Sequence, residues 1–343
     1  MQSMLHHFDS IQLTTEEREE SAIYVCYDRS LYHYLKRNSN MKNFNWLFAD
    51  RFWGFLYSEN NEPITPIQNG LSKIVDLITE TLCVETEKLR GIMKEKFSDG
   101  YKAYAMFTVE RPDGTLYVTS TLFEGMKDDL IYYTKTGKTC SLTCIPMEFK
   151  EFISKLPKDG EGKVTITFIR ATESLIKKLK CSGVKLYKEI MKNLYGFYYD
   201  EGLVKQKYNP NLKINNIGLY ELLNYFESYK KELVLNEISK RNQLRMHRHI
   251  ANKIEPMLFA WNSILADTEC SSIVGKEHSQ AILNQSTIIR ERLKSLLKWA
   301  SMVFSRPNIN FMNSYINELS ALIKDFEIYQ KLICEANAII LKN

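Results

Sequence analysis

From Ile217 to Asn343 apolar side chains recur every three or four residues, a spacing that puts them on one face of a helix. Leu222, Phe226, Tyr229 and Leu233 form one stripe, and Ile250, Ile254, Met257, Trp261 and Ile264 form a second. A third runs through Ile289, Leu293, Leu296, Ala300 and Phe304 and stops at Arg306-Pro307. The fourth holds Met312, Tyr315, Leu319, Leu322, Phe326, Ile333 and Ile340, with Ile316 and Ile323 beside them. Glycine hardly interrupts this region, and Pro256 marks an expected kink or helix start. Four amphipathic helices with short connections predict an antiparallel bundle, or a helical extension used for association. The whole chain agrees: 14 glycines and 8 prolines in 343 residues are too few for an all-β fold, with its frequent turns. With 44% hydrophobic and 25% charged residues it can bury a full core and is not a disordered chain.

The N-terminal part reads differently. Thr14 or Thr15 caps a first helix running to Arg37, whose acidic start (Glu16, Glu17, Glu19, Glu20) suits the positive helix end. Its inward stripe is Ile23, Tyr27, Leu31 and Tyr34. Arg51 to Tyr57 is a candidate strand, and helices are expected over Leu71 to Leu82 and on to Lys96. Residues 104–109 and 115–123 alternate like the arms of a hairpin around Arg111-Pro-Asp-Gly114. Residues 130–134 and 139–145 make a second pair, and Pro146 opens a helix over Met147 to Leu156. A strand over Val164 to Ile169 and a basic helix after Thr172 follow; Tyr195 to Tyr199 reads as one more strand, and Asn209-Pro210-Asn211 as a boundary. The expectation is an α+β fold: a mixed region over 1–212 holding a four-stranded antiparallel sheet plus helix, then an all-helical bundle over 213–343.

No recognised catalytic motif stands out. Gly137-Lys138-Thr139 looks like the end of a phosphate loop, but Tyr132 occupies the position of the required earlier glycine. Neither HExxH, GxSxG, GxGxxG nor CxxC occurs. Nothing pairs a nucleophile with a base at local spacing, so no catalytic residue, metal ligand or cofactor is assigned. Cys140 and Cys144 could share a strand face, but further ligands are missing around them. Seven scattered cysteines suit reduced thiols. No secretory signal or 20-residue apolar span is present, so the reading is intracellular, cytoplasmic or nuclear, with no membrane partner.

Charge carries the functional signal. The chain is +5 overall, and Lys230, Lys231, Lys240, Arg241, Arg245, Arg248 and Lys253 alone face only Glu232 and Glu237. Residues 163–213 hold a weaker excess, eleven Lys/Arg against four Asp/Glu. Such a concentration fits an anionic partner, most simply a phosphate backbone.

The order hairpin, hairpin, helix over 101–156, with the run Gly137 to Leu142 (GKTCSL) leading into Glu148 to Leu156 (EFKEFISKL), resembles one unit of the Pur/Whirly type of single-stranded nucleic-acid-binding fold. The resemblance implies a curved four-stranded sheet backed by a helix. Exposed Tyr and Phe would stack on unpaired bases while Lys and Arg follow the backbone. Tyr117, Tyr132 and Lys138 are the candidates on this unit, with Tyr104, Phe107, Phe123 and Tyr133 as further aromatics. The leading expectation is therefore a non-catalytic nucleic-acid-binding or regulatory protein that favours single strands. The alternatives are a scaffold that oligomerises or docks a protein partner through 217–343, and an enzyme whose site is assembled from distant residues.

Overall fold

The computed structural model describes residues 11–15, 17, 26–38, 44–48, 56–57, 63–64, 77–110, 116–136, 141–179, 183–188, 219–235 and 237–343. They belong to two compact units, Met1–Phe44 with Leu71–Cys181, and Asn45–Gly70 with Ser182–Asn343. The boundary expected at residue 212 lies outside the described residues, as do the candidate strand at 195–199 and the turn at 209–211.

In the first unit the cap expected at Thr14 is present. The Thr14 N–H donates to Glu17 Oε2 (2.9 Å), and the Glu17 N–H donates to Thr14 Oγ1 (3.1 Å), a reciprocal pair that satisfies two otherwise unpaired helix-start amides. Helix α1 spans Cys26–Asn38. The strands are β1 (Ile11–Gln12), β4 (Leu77–Glu85), β5 (Lys102–Glu110), β6 (Leu116–Lys127), β7 (Leu130–Thr136), β8 (Ser141–Glu148) and β9 (Lys163–Ala171); β2 (Leu56–Tyr57) and β3 (Pro63–Ile64) form a separate pair that belongs to the second unit. Helices α2 (Thr86–Ser98), α3 (Phe149–Lys155) and α4 (Glu173–Leu179) complete this unit.

The expected meander β5-β6-β7-β8 is there, with Val109 opposite Tyr117 and Leu130 opposite Glu148. It lies inside a larger antiparallel sheet, ordered β1-β8-β7-β6-β5-β9-β4. Two expectations are corrected. The segment over Leu77–Glu85 is a strand, not the end of a helix: Leu82 and Val84 pack toward the core while Thr81, Cys83 and Glu85 are exposed, a period of two. Here β-branched residues and pairing along the whole of β9 outweigh the helical spacing. Pro146 does not open a helix either. It sits in β8 opposite Tyr132, and α3 starts three residues later. Among the described residues β1 pairs only Ser141 and Leu142, so at Pro146 the outer side of β8 is a sheet edge, where a missing N–H is tolerated.

Both faces of the sheet carry helices. Leu89 and Met93 of α2 and Phe149 and Phe152 of α3 cover one face, where Ala103, Ala105, Phe123, Ile131, Val164, Ile166 and Phe168 are buried. The small side chains on β5 leave room for the Phe123–Phe152 pair, which meets edge to face at 4.5 Å. On the other face α1 packs against β6 and β7, where Leu122, Glu124 and Thr134 are buried.

The second unit is helical, with α5 (Leu219–Leu235), α6 (Glu237–Ala266), α7 (Thr268–Val274), α8 (Lys276–Ser305) and α9 (Ile309–Lys342). Helix α5 packs on α6, α6 on α8, α8 on α9 and α9 back on α5, closing a four-helix bundle. The α8–α9 seam is antiparallel and keeps a heptad step. Trp299 meets Phe311, Arg292 bonds Glu318, Gln285 bonds the Asp325 carbonyl, and His278 bonds the Leu332 carbonyl, each pair seven residues from the last on both helices. That repeat belongs to helices wound gently around each other.

The four stripes are buried as expected, save for Tyr229, which is half-buried, and Phe304, which is 44% exposed at the end of α8. Helix α6 runs on through Pro256 without restarting. Residues 45–48 and 184–188 add to this unit: Trp46 Nε1 donates to Ser263 Oγ (3.1 Å) and the Tyr187 hydroxyl to Asn337 Oδ1 (2.8 Å).

Candidate nucleic-acid interface

The basic run divides between two consecutive helices of the bundle. Lys230 and Lys231 close α5; Lys240, Arg241, Arg245, Arg248 and Lys253 lie along α6. Among the side chains described on α6, the buried stripe runs through Ile250, Ile254, Met257, Trp261 and Ile264. Continued back along the helix by its period of about 3.6 residues, the line of that stripe passes through positions Ser239, Gln243, Met246 and His247. Arg241, Arg245 and Arg248, spaced four and three apart, fall roughly half a turn away from that stripe and span roughly 10 Å of helix axis. Lys240 and Lys253 fall on the two flanks. For these five residues the structure describes the backbone alone.

At the end of α5 Lys231 is exposed, whereas Lys230 is half-buried and bonded to Glu227 at 3.4 Å. The carboxylate that takes up part of its charge lies just outside the run counted in the sequence. One of the seven cations is thus already engaged within its own helix.

Below the basic run, α6 meets α8 through polar groups. Asn262 donates to the Leu258 carbonyl (3.2 Å) and Ser286 Oγ (3.3 Å), and its oxygen accepts from Arg290 Nη2 (3.1 Å). Burial holds the Glu255 carboxyl above the usual carboxylate range, against the opposing pull of Arg290. This layer fixes how the second half of α6 seats on α8.

The sheet candidates belong to the other unit. Tyr132 is half-buried on β7, on the face that α1 covers in part. Tyr117 is placed on β6 opposite Val109, with backbone alone described, and Lys138 lies outside the described residues. Phe123 is fully buried and Tyr133 packs against it at 5.9 Å, so neither is a stacking face. Tyr104 is half-buried on β5, on the face where Met106 is 55% exposed.

The sequence reading passed over a cation–aromatic group on this unit. Lys96 and Arg170 approach the Tyr101 ring at 5.0 and 4.7 Å, and Lys96 also bonds Glu80 at 2.5 Å. Only the pairing of β9 with β4 and β5 brings these four residues together.

Among the described residues no three His, Cys, Asp or Glu side chains converge as a metal site, and no helix is long and apolar enough to cross a membrane. Cys144 lies on β8 opposite Thr134; Cys140 lies outside the described residues. No protein-family model matches the chain, and comparison with curated proteins found no relative.

Proposed function

We propose that the protein is a non-catalytic nucleic-acid-binding protein that holds the phosphate backbone of a single strand against the first half of α6. The observation that carries this reading is the placement of Arg241, Arg245 and Arg248 at helical spacing opposite the stripe that anchors α6 in the bundle. Cations at helical spacing on the side opposite a buried stripe make a row of charge that phosphates can follow without base identity. Lys231, Lys240 and Lys253 widen the row, while Lys230 contributes less because Glu227 already holds it. The likeness of residues 101–156 to a Pur/Whirly unit supports single strands over duplexes, with Tyr117, Tyr132 and Lys138 as its contacts. The reading places the protein inside the cell, in cytoplasm or nucleus.

The test is fluorescence anisotropy with single- and double-stranded oligonucleotides across a salt series. Replacing Lys240, Arg241, Arg245 and Arg248 by Ala should weaken binding to all sequences alike. The slope of log affinity against log salt should flatten by about 0.7 per lost single-strand contact, roughly 3 for four. A wild type that binds no oligonucleotide, or a quadruple variant that binds as the wild type does, overturns the reading.

A second reading, docking of a protein partner on the bundle, rests on one observation. Leu297 and Phe304, seven residues apart on one face of α8, are 47% and 44% exposed.

A further inference from the structure

The sheet has two edges of very different kinds. At one end, among the described residues, β1 is two residues long, a short edge of the sort that resists further pairing. At the other, β4 is a nine-residue strand paired to β9 without a break from Leu77–Ala171 to Glu85–Lys163. Among the described residues nothing pairs its outer side. Every second residue of an antiparallel strand turns its N–H and C=O away from the existing neighbour, so β4 presents a long row of unpaired donors and acceptors.

The devices that normally blunt such an edge are missing from β4: its sequence, LITETLCVE, has no lysine and no proline, and its register has no bulge. Its two charges do not protect it. Glu80 is bonded to Lys96 at 2.5 Å and Glu85 to Lys88 at 2.6 Å, both lysines supplied by α2. The carboxylates are thus neutralised from within the same unit.

The strand is also complementary to itself. Turned antiparallel about Thr81, a second β4 would place Thr81 opposite Thr81, Cys83 opposite Thr79, Ile78 opposite Val84, Glu80 opposite Leu82 and Glu85 opposite Leu77. β-branched residues meet their own kind, and no two like charges stand directly opposite; the two Glu80 are diagonal neighbours, each bonded to its own Lys96. Ile78, 36% exposed, gains a β-branched neighbour. We infer that two copies of this chain associate through β4, antiparallel about a two-fold axis at Thr81, joining their two sheets into one. The pairing adds on the order of nine backbone hydrogen bonds. It is isologous, so it closes at two copies. It is independent of the nucleic-acid reading and uses a different unit of the protein.

Sedimentation velocity of the full chain over a concentration series tests this. The wild type should pass from one chain mass to two as concentration rises. Thr81 and Cys83 are exposed and give up one exposed side-chain bond each, to Thr167 (3.0 Å) and Asp159 (3.6 Å), so replacing both by Lys, or both by Glu, should leave the secondary structure intact, checked by far-UV circular dichroism. Across the axis each variant sets like charges against one another, and its self-association should weaken about tenfold. Mixing the Lys and Glu variants sets opposite charges face to face and should restore the two-chain species. A Thr81→Cys, Cys83→Ser variant should form a covalent dimer under mild oxidation. The proposal is overturned if the wild type stays at one chain mass at its highest soluble concentration. It is also overturned if both charged variants self-associate as the wild type does, or if their mixture recovers nothing.

Discussion

Phe152→Ala and Phe304→Ala remove the same side chain from two places that the fold treats oppositely. Phe152 is fully buried on α3, edge to face with Phe123 at 4.5 Å and 5.8 Å from Phe149. The floor beneath it is Ala103 and Ala105 on β5, which have no side chain to move into the vacated space. The strands themselves are held by antiparallel pairing on both sides, so the site cannot collapse. That puts the loss toward the upper part of the range for buried Phe→Ala, about 4–5 kcal/mol. Helix α3 has only seven residues and is anchored by Phe149 and Phe152, so it should lose protection first. Phe304, 44% exposed on α8, leaves no cavity and should cost about 0.5 kcal/mol or less. Hydrogen exchange read by mass spectrometry reports opening free energies segment by segment, which suits a chain of two units. Protection should fall across α3 and β5–β7 in the first variant while that of α8–α9 holds, and should hardly change in the second. Equal losses for the two substitutions would refute the packing argument, as would a Phe152→Ala loss below 1 kcal/mol.

Gly183 has φ +90° and a Cβ there would run into the Glu269 carboxylate, which accepts the Val184 N–H at 3.2 Å. Gly183→Ala should cost about 2–3 kcal/mol by adding backbone strain to the lost bond, and Glu269→Ala only about 1, in thermal melts followed by tryptophan emission. Burial, helped by Arg29, holds His33 down at about 4 from an ordinary 6.5. The unfolded chain therefore takes up this proton first as pH falls. The His33 contribution is complete above about 6.5 and lost toward 4, a difference of about 3 kcal/mol that His33→Phe should remove. Histidine proton shifts in NMR should show the low titration directly. Arg292 bonds both Asp325 (2.9 Å) and Glu318 (3.1 Å) at a half-exposed seam. Arg292→Met should cost about 1 kcal/mol or less in urea at low salt and less at high salt, whereas a loss above 2 would mean the network is insulated from solvent.

The helical unit was legible in the sequence because its energetics are local in register. An amphipathic helix writes its buried face into residues three and four apart, so Leu222 to Leu233, Ile250 to Ile264 and Met312 to Ile340 could be read off directly. The Thr14–Glu17 cap and the β5–β6 hairpin were legible for the same reason, since their partners lie close in the chain. Strand β4 was not. A short apolar, β-branched segment satisfies both periods, and only pairing with β9, some ninety residues away, settles which one holds. Which sheet side chains α2 and α3 would cover was equally hidden, and with it the loss of Phe123 and Tyr133 as stacking faces. Of the basic run, the sequence determined its charge and its helical spacing. That Lys230 pairs with Glu227, that Phe304 turns outward, and that Lys96 and Arg170 converge on Tyr101 were decided by tertiary structure, because each depends on how side chains settle once distant elements have packed.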